Sequence, residues 1–289
     1  MTPQTGSRCC VVDVLGGGTL HDPDVPLLHA DDLAAVRGDG VFETMMLRDG
    51  AVRNVDRHLA RFRRGAATLG LPAPDAGRWL EATDLAARTW GDGEAALRWV
   101  YSRGRESTGR PTGWITVLPV SDAVLRARRE GVDAMTADRG YRIDLDERSP
   151  WALIGAKTLS YAANMSALRH ARERGFGDVV FLSDDGTVLE GPTSSVVVVR
   201  GRRMTTPPVG EGVLPGTTQA ALFALAAGEG WEVDEEQLRV PDLLAADGVW
   251  LVSSVRGRAR VRSLDGTVLP RPACADEVEA LVDRAVLGG

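Results

Sequence analysis

The chain reads as an α+β protein of two domains, and three observations predict this. Its 289 residues suit one large or two modest domains. Strand and helix patterns are mixed without strict alternation, which argues against a single doubly wound sheet. A charged stretch at 121–131 reads as a linker, after which a strand pattern starts afresh at Val132–Thr136. The expected division is a smaller domain over 1–120, a linker over 121–131 and a larger domain over 132–289.

The elements follow in order. Val11–Leu15 is strand-like and runs into Gly16-Gly17-Gly18. A dinucleotide fingerprint needs a helix directly after such glycines, whereas Thr19-Leu20-His21-Asp22-Pro23 is turn-like, so the run reads as a loop. Val41–Leu47 is an apolar run between the turns Arg37-Gly38-Asp39-Gly40 and Asp49-Gly50, which predicts a strand and hairpin. Leu59, Phe62, Ala66 and Leu69 share one face of a helix over 56–69, and 79–90 is helical. Ala96–Tyr101 and Trp114–Val120 are strands. In the second half, Tyr161, Met165 and Leu168 mark a helix over 161–174 that stops at Gly175. Val179–Leu182 and Thr187–Glu190 flank the hairpin turn Asp184-Asp185-Gly186, and Ser195–Val199 is a further strand. Val213-Leu214-Pro215-Gly216-Thr217-Thr218 leads into an apolar helix through Ala227. A strand over 249–253 and a helix over 276–286 complete the pattern.

Composition removes several function classes. A net charge of −6 argues against a broad phosphate-backbone footprint, hence against a nucleic-acid partner. The longest apolar run is the eight residues Ala220–Ala227, too short for a spanning helix, so no membrane partner is expected. The start MTPQTGSRCC lacks a basic-then-apolar pattern and predicts no secretory signal. Cys9, Cys10 and Cys274 form an odd, sparse set that suits a reducing, cytoplasmic home. The four histidines show no paired Cys/His spacing, so no metal site is expected.

The basic residues are the most informative. Of 34 Lys plus Arg, one is Lys: Lys157. Arginine replaces lysine well at solvated positions. It cannot do so where a primary amine is needed, because a guanidinium does not lose its proton. An amine can condense with a carbonyl and later take up a proton. Lys157 is therefore the candidate for amine chemistry, beside the simpler reading of a chance survivor. Pro215-Gly216-Thr217-Thr218 opens a helix, so Thr217 and Thr218 are either plain N-terminal hydroxyls or donors to a phosphate. Glu190 at a strand end is either an exposed carboxylate or a buried acid facing a heteroaromatic nitrogen. Arg61 is either solvated or a phosphate clamp. Ser254 in Ser253-Ser254 is either a polar turn residue or a donor. The adjacent acid pairs Asp31-Asp32, Asp184-Asp185 and Glu235-Glu236 point apart and form no glycosidase pair.

These features recur together in one family. The chain resembles the class IV aminotransferases, the fold-type-IV pyridoxal-phosphate enzymes, a group that includes D-amino acid and branched-chain aminotransferases. The resemblance rests on Gly38-Asp39-Gly40-Val41-Phe42-Glu43-Thr44, His58-Leu59-Ala60-Arg61-Phe62, Lys157, Gly186-Thr187-Val188-Leu189-Glu190-Gly191, Thr206-Pro207-Pro208 and Leu214-Pro215-Gly216-Thr217-Thr218. They stand in family order and span most of the chain. The block Lys157-Thr158-Leu159-Ser160-Tyr161-Ala162-Ala163-Asn164-Met165 is similar to that of actinobacterial aminodeoxychorismate lyases.

The resemblance implies pyridoxal 5'-phosphate as cofactor, a small-molecule substrate and a homodimer. It implies that Lys157, in the larger domain, carries the cofactor covalently and then serves as proton-transfer base. Glu190 would face the pyridine nitrogen and keep it protonated. Arg61, Thr217, Thr218 and Ser254 would bind the phosphate. Tyr161 would hydrogen-bond the ring hydroxyl. The implied reaction converts 4-amino-4-deoxychorismate to 4-aminobenzoate and pyruvate, a folate-precursor step, and Arg98 and Arg105 are candidates for the substrate carboxylates. Amino transfer from branched-chain or D-amino acids to a 2-oxo acid is the alternative, and a non-catalytic binding protein a further one. Phe42-Glu43-Thr44 stands where branched-chain enzymes have Phe-Glu-Gly, Ser195-Val196-Val197 where many members have Asn-Ile-Phe, and Gln219 where an Arg often follows the Thr.

Overall fold

A computed structural model of the chain describes residues 9–143, 149–210 and 212–288. The chain divides into two units, Met1–Ser121 with Ala156–Ser160, and Asp122–Gly155 with Tyr161–Gly289. Helices and sheets are both present in each, as an α+β reading requires. No helix among the described residues is long and apolar enough to cross a membrane.

The first unit holds strands β1 (Cys10–Asp13), β2 (Thr19–His21), β3 (Gly40–Arg48), β4 (Ala51–Val52), β5 (Glu94–Ser102) and β6 (Thr112–Pro119), with helices α1 (Leu33–Val36), α2 (Val55–Thr68) and α3 (Ala76–Trp90). The strands form one sheet in the order β2-β1-β6-β5-β3-β4, antiparallel throughout. Gly16–Gly18 closes the β1–β2 hairpin, and the Gly16 amide donates to Asp13 Oδ1 at 2.7 Å. Asp49 and Gly50, at φ 51° and 71°, turn β3 into β4 with the left-handed backbone that suits a two-residue hairpin. The core is aromatic. Phe62 of α2 meets Trp79 of α3 edge-on at 4.8 Å and Trp99 of β5 at 5.3 Å. Trp99 Nε1 donates to Thr83 Oγ1 at 2.8 Å, so the buried indole is satisfied.

A further segment joins this sheet from far along the sequence. Residues 156–160 lie antiparallel to the start of β3, with a bridge between Val41 and Thr158. The Phe42 amide donates to the Lys157 carbonyl at 2.9 Å, and the Leu159 amide to the Gly40 carbonyl at 2.8 Å. Gly40 permits this approach, since a Cβ there would stand 2.5 Å from the Tyr101 carbonyl oxygen and 2.8 Å from Leu159 Cδ1. Lys157 was expected in the larger domain. The structure corrects this: its backbone pairs with β3, so the lysine belongs to the first unit.

The second unit holds α4 (Asp122–Glu130), β7 (Val132–Asp138), α5 (Ala162–Glu173), β8 (Asp178–Leu182), β9 (Ser195–Arg200), β10 (Arg203–Thr206), α6 (Thr217–Gly228), β11 (Glu232–Glu235), α7 (Val240–Leu244), β12 (Gly248–Ser253), β13 (Gly257–Leu264), β14 (Thr267–Val268) and α8 (Ala275–Leu287). Seven strands run in the order β11-β10-β9-β12-β13-β7-β8, and β14 pairs with β13. The pairs β10–β11, β13–β7 and β7–β8 are parallel and the others antiparallel. The expected linker at 121–131 is instead mostly α4, which packs on β13 and whose Arg128 reaches the carbonyls of Val255 and Arg256. The expected strand over Thr187–Glu190 pairs only through isolated bridges: Leu189 and Glu190 bond across to Phe181, the Val188 amide donates to the Leu238 carbonyl at 2.7 Å, and Thr187 bridges to Arg239.

Phe62 fills the centre of the aromatic core, and α2 is the helix that also bears His58 and Arg61. Phe62→Ala is expected to cost about 3–5 kcal/mol, read as a lowered midpoint in urea unfolding followed by far-UV circular dichroism.

Candidate active site

Strand β3 presents two faces. Glu43, Met45 and Leu47 are buried on the side of α2, and Phe42 and Thr44 alternate to the opposite side. His58 and Arg61, one turn apart on α2, both reach Glu43. Arg61 Nε donates to Glu43 Oε1 at 2.7 Å and Nη2 to Oε2 at 2.6 Å, while His58 Nδ1 lies 2.6 Å from Oε2. Glu43 is 0% exposed and Arg61 8%. Burial alone would raise the Glu43 carboxyl, but the Arg61 charge and bonds, with His58 adding, take it down to about 2. Burial pushes the His58 imidazole below its ordinary value, and the charges of Arg61 and Lys157 push the same way against Glu43. A neutral His58 therefore donates from Nδ1 to the carboxylate.

On the other side, Lys157 Nζ lies 4.5 Å from the centre of the Phe42 ring. Arg98, opposite Thr44 in the β3–β5 register, points its Nε at Thr44 Oγ1 from 3.4 Å and lies 5.8 Å from the Phe42 ring. Lys157, Phe42, Thr44 and Arg98 thus gather on one side of the sheet. The Arg105 Nε donates to Asp31 Oδ1 at 2.9 Å, and Ser107 also donates to that carboxylate. The bonds from Ser107 and Arg105 hold the Asp31 carboxyl well below the usual range.

In the second unit, three residues singled out in the sequence converge. Ser254, just past β12, has its hydroxyl 3.1 Å from those of both Thr217 and Thr218 at the start of α6. Gly216 precedes the helix and supplies no side-chain cap. A Cβ on Gly216 would sit 2.2 Å from Ser195 Oγ, so only glycine keeps this approach. Helix N–H groups and three hydroxyls form a donor set with no carboxylate in it, which fits a phosphate monoester. Glu190 Oε2 accepts from the Leu214 amide at 3.2 Å. The Tyr161 hydroxyl donates to the Pro192 carbonyl, as does Asn164 Nδ2 at 2.8 Å, and Arg139 Nη2 reaches Asn164 Oδ1 at 3.0 Å. Burial raises the Tyr141 phenol, with the Glu190 charge adding and Arg139 opposing.

Sequence reasoning missed Glu43 as the partner of Arg61, His58 as a second partner of Glu43, and Asn164 as a partner of the Pro192 carbonyl. The first pair was detectable: a histidine and an arginine three apart on an amphipathic helix, beside a strand with one acid among apolar residues.

Comparison with known proteins identifies the family. The model for amino-transferase class IV matches residues 40–264. A bifunctional aminodeoxychorismate lyase / D-amino acid transaminase from Mycobacterium tuberculosis is 48% identical over 280 residues, 93% of this chain and 97% of that protein. The PLP-bound form of an aminotransferase from the same organism is 48% identical, with a TM-score of 0.94 over 97% of this chain and 99% of that one. A fold IV-transaminase from Curtobacterium pusillum is 39% identical, with a TM-score of 0.89 over 96% and 98% of the two chains.

The buried triad sets an acid limit on stability. Glu43 is lowered from 4.5 to about 2, so its contribution is complete above about pH 4.5 and lost as pH falls towards 2. His58 is also lowered, so stability begins to fall as pH drops through 6.5. Urea unfolding across pH 7 to 2 should show both losses, with Glu43→Gln removing the lower one, worth about 3 kcal/mol over that whole range.

Proposed function

The chain belongs to the amino-transferase class IV family, and from that premise we propose that it cleaves 4-amino-4-deoxychorismate to 4-aminobenzoate and pyruvate. It is a pyridoxal-phosphate-dependent enzyme of a fold-type-IV family with PLP-bound relatives. The observation that carries the reading is the placement of the sole lysine, Lys157, by backbone bonds to β3, with its Nζ over Phe42 on the side that Arg98 also faces. The similarity to a bifunctional lyase and transaminase supports it.

When bound, pyridoxal phosphate supplies an electron sink for the carbon that bears the substrate amine. The residues of the chain do the rest. Thr217, Thr218 and Ser254 hold the phosphate at the start of α6. Arg61, its guanidinium oriented by Glu43, adds a cationic donor. Glu190 faces the pyridine nitrogen, and the Leu214 amide on its Oε2 fixes the carboxylate. Tyr161, its own proton directed to the Pro192 carbonyl, would hydrogen-bond the ring hydroxyl. Lys157 Nζ would hold the cofactor and, as a free amine, would take the proton from the amine-bearing carbon. Loss of the enolpyruvyl group from the neighbouring carbon leaves an aromatic ring, and this drives the cleavage. Arg98 and Arg105, the latter held by Asp31, bind the substrate carboxylates. The enzyme acts as a homodimer in the cytoplasm.

Amino transfer is the second reading, favoured by the same bifunctional relative. It uses the same residues up to proton removal, after which Lys157 returns the proton elsewhere instead of allowing elimination. Incubation of purified protein with aminodeoxychorismate should release 4-aminobenzoate and pyruvate in equal amounts. Amino transfer from a D-amino acid to 2-oxoglutarate, with no 4-aminobenzoate formed, sinks the lyase reading.

Lys157→Ala should lose turnover together with the absorbance band at roughly 400–430 nm. Arg98→Leu should raise KM for aminodeoxychorismate about tenfold or more with little change in kcat, measured by the initial rate of 4-aminobenzoate release.

A further inference from the structure

Ser254 sits at the tip of a hairpin. Strands β12 and β13 pair up to Ser253 opposite Gly257, which leaves Ser254, Val255 and Arg256 as a three-residue loop. Gly257 has φ 70°, the left-handed conformation that closes such loops. A hairpin tip is ordinarily among the least constrained parts of a sheet. This one is fastened twice.

Arg128 of α4 is half-buried, and its guanidinium spans two successive carbonyls of the loop: Nη2 donates to Val255 at 2.7 Å and Nε to Arg256 at 2.9 Å. The second fastening is the Arg256 side chain itself, whose Nη1 donates to Asp178 Oδ2 at the start of β8. Asp178 is 1% exposed, and its other oxygen accepts the Val179 amide at 2.8 Å. Both residues that follow Ser254 are therefore held, by backbone and by side chain. Their effect on Ser254 is geometric. Its hydroxyl lies 3.1 Å from Thr217 Oγ1 and from Thr218 Oγ1, near the limit at which a hydroxyl contact counts as a hydrogen bond. A shift of the tip by about 1 Å would take Ser254 out of the donor set.

We propose that Arg128, backed by the Arg256–Asp178 pair, is a positioning residue for phosphate recognition, which it serves by locking the tip of the β12–β13 hairpin so that Ser254 completes the hydroxyl set at the start of α6. The proposal rests on the reading of that set as the phosphate site. A residue that merely glued α4 to the sheet would lower stability without caring whether a ligand carries phosphate.

The test separates these. Cofactor-free wild type and Arg128→Met are titrated by tryptophan fluorescence with pyridoxal phosphate and with pyridoxal, which lacks only the phosphate. The expected result is a loss of about tenfold in affinity for pyridoxal phosphate, pyridoxal affinity unchanged and the ligand-free melting temperature preserved. The thermal shift induced by inorganic phosphate alone should shrink in parallel. If Arg128→Met does not fold, Arg128→Lys keeps the charge but lacks the fork, and it should give the same selective loss. Equal weakening of both ligands, or of neither, overturns the role given to Arg128. A wild type that binds the two equally overturns the phosphate reading itself.

Discussion

A carboxylate with no exposure is costly to keep charged, and the first unit keeps one. Glu43 survives because three donors, two from Arg61 and one from His58, meet its two oxygens. Removing either Glu43 or Arg61 would leave a charge stranded away from water, so the register of α2 against β3 is fixed by this triad as well as by apolar packing. The arrangement reaches the chemistry through β3. Glu43 is locked on one face of that strand, which fixes its neighbours Phe42 and Thr44 as well, and Lys157 lies against the Phe42 ring while its charge still acts on His58.

The lysine itself is held by main chain. Two backbone bonds to β3 set the position of Lys157, and they need no particular side chains beyond a glycine at position 40. This explains why the sequence misled about ownership. Residues 156–160 are flanked on both sides by chain that belongs to the second unit, and no periodicity announces a lone pairing of a few residues with a strand more than a hundred positions away. The helices α2, α3, α5, α6 and α8 were legible because each carries an apolar stripe or an uninterrupted apolar run with turn residues at its ends. The strands β10, β11, β13 and β14 were not. Arg203–Thr206 and Glu232–Glu235 are short and polar on their exposed faces, and Gly257–Leu264 alternates arginine with small residues, a pattern that reads as surface until its partners are known.

The candidate site was legible to a similar degree, and for a different reason. Lys157 stood out by chemistry, because one amine among so many guanidinium groups invites the question of what an arginine could not do there. Thr217, Thr218 and Ser254 were separable from ordinary turn residues only through resemblance, yet they meet in space from positions 36 and 37 residues apart. Arg61 carried the same ambiguity. Burial against Glu43 removes the solvated reading, and the carboxylate that orients it had no mark in the sequence beyond being an acid within an apolar run.

The pairing of residues 156–160 with β3 also turns the protein into its own reporter. A protease specific for lysine has a single bond to cut in all 289 residues, the one between Lys157 and Thr158. That bond lies within the paired segment: its carbonyl accepts from Phe42, and the residue after it bridges to Val41. Proteases bind their substrates as free extended strands, so the bond is closed to them while the pairing holds. The rate at which the chain falls into two fragments therefore counts how often this one stretch lifts away from its sheet, with no label added and no second site to confuse the reading.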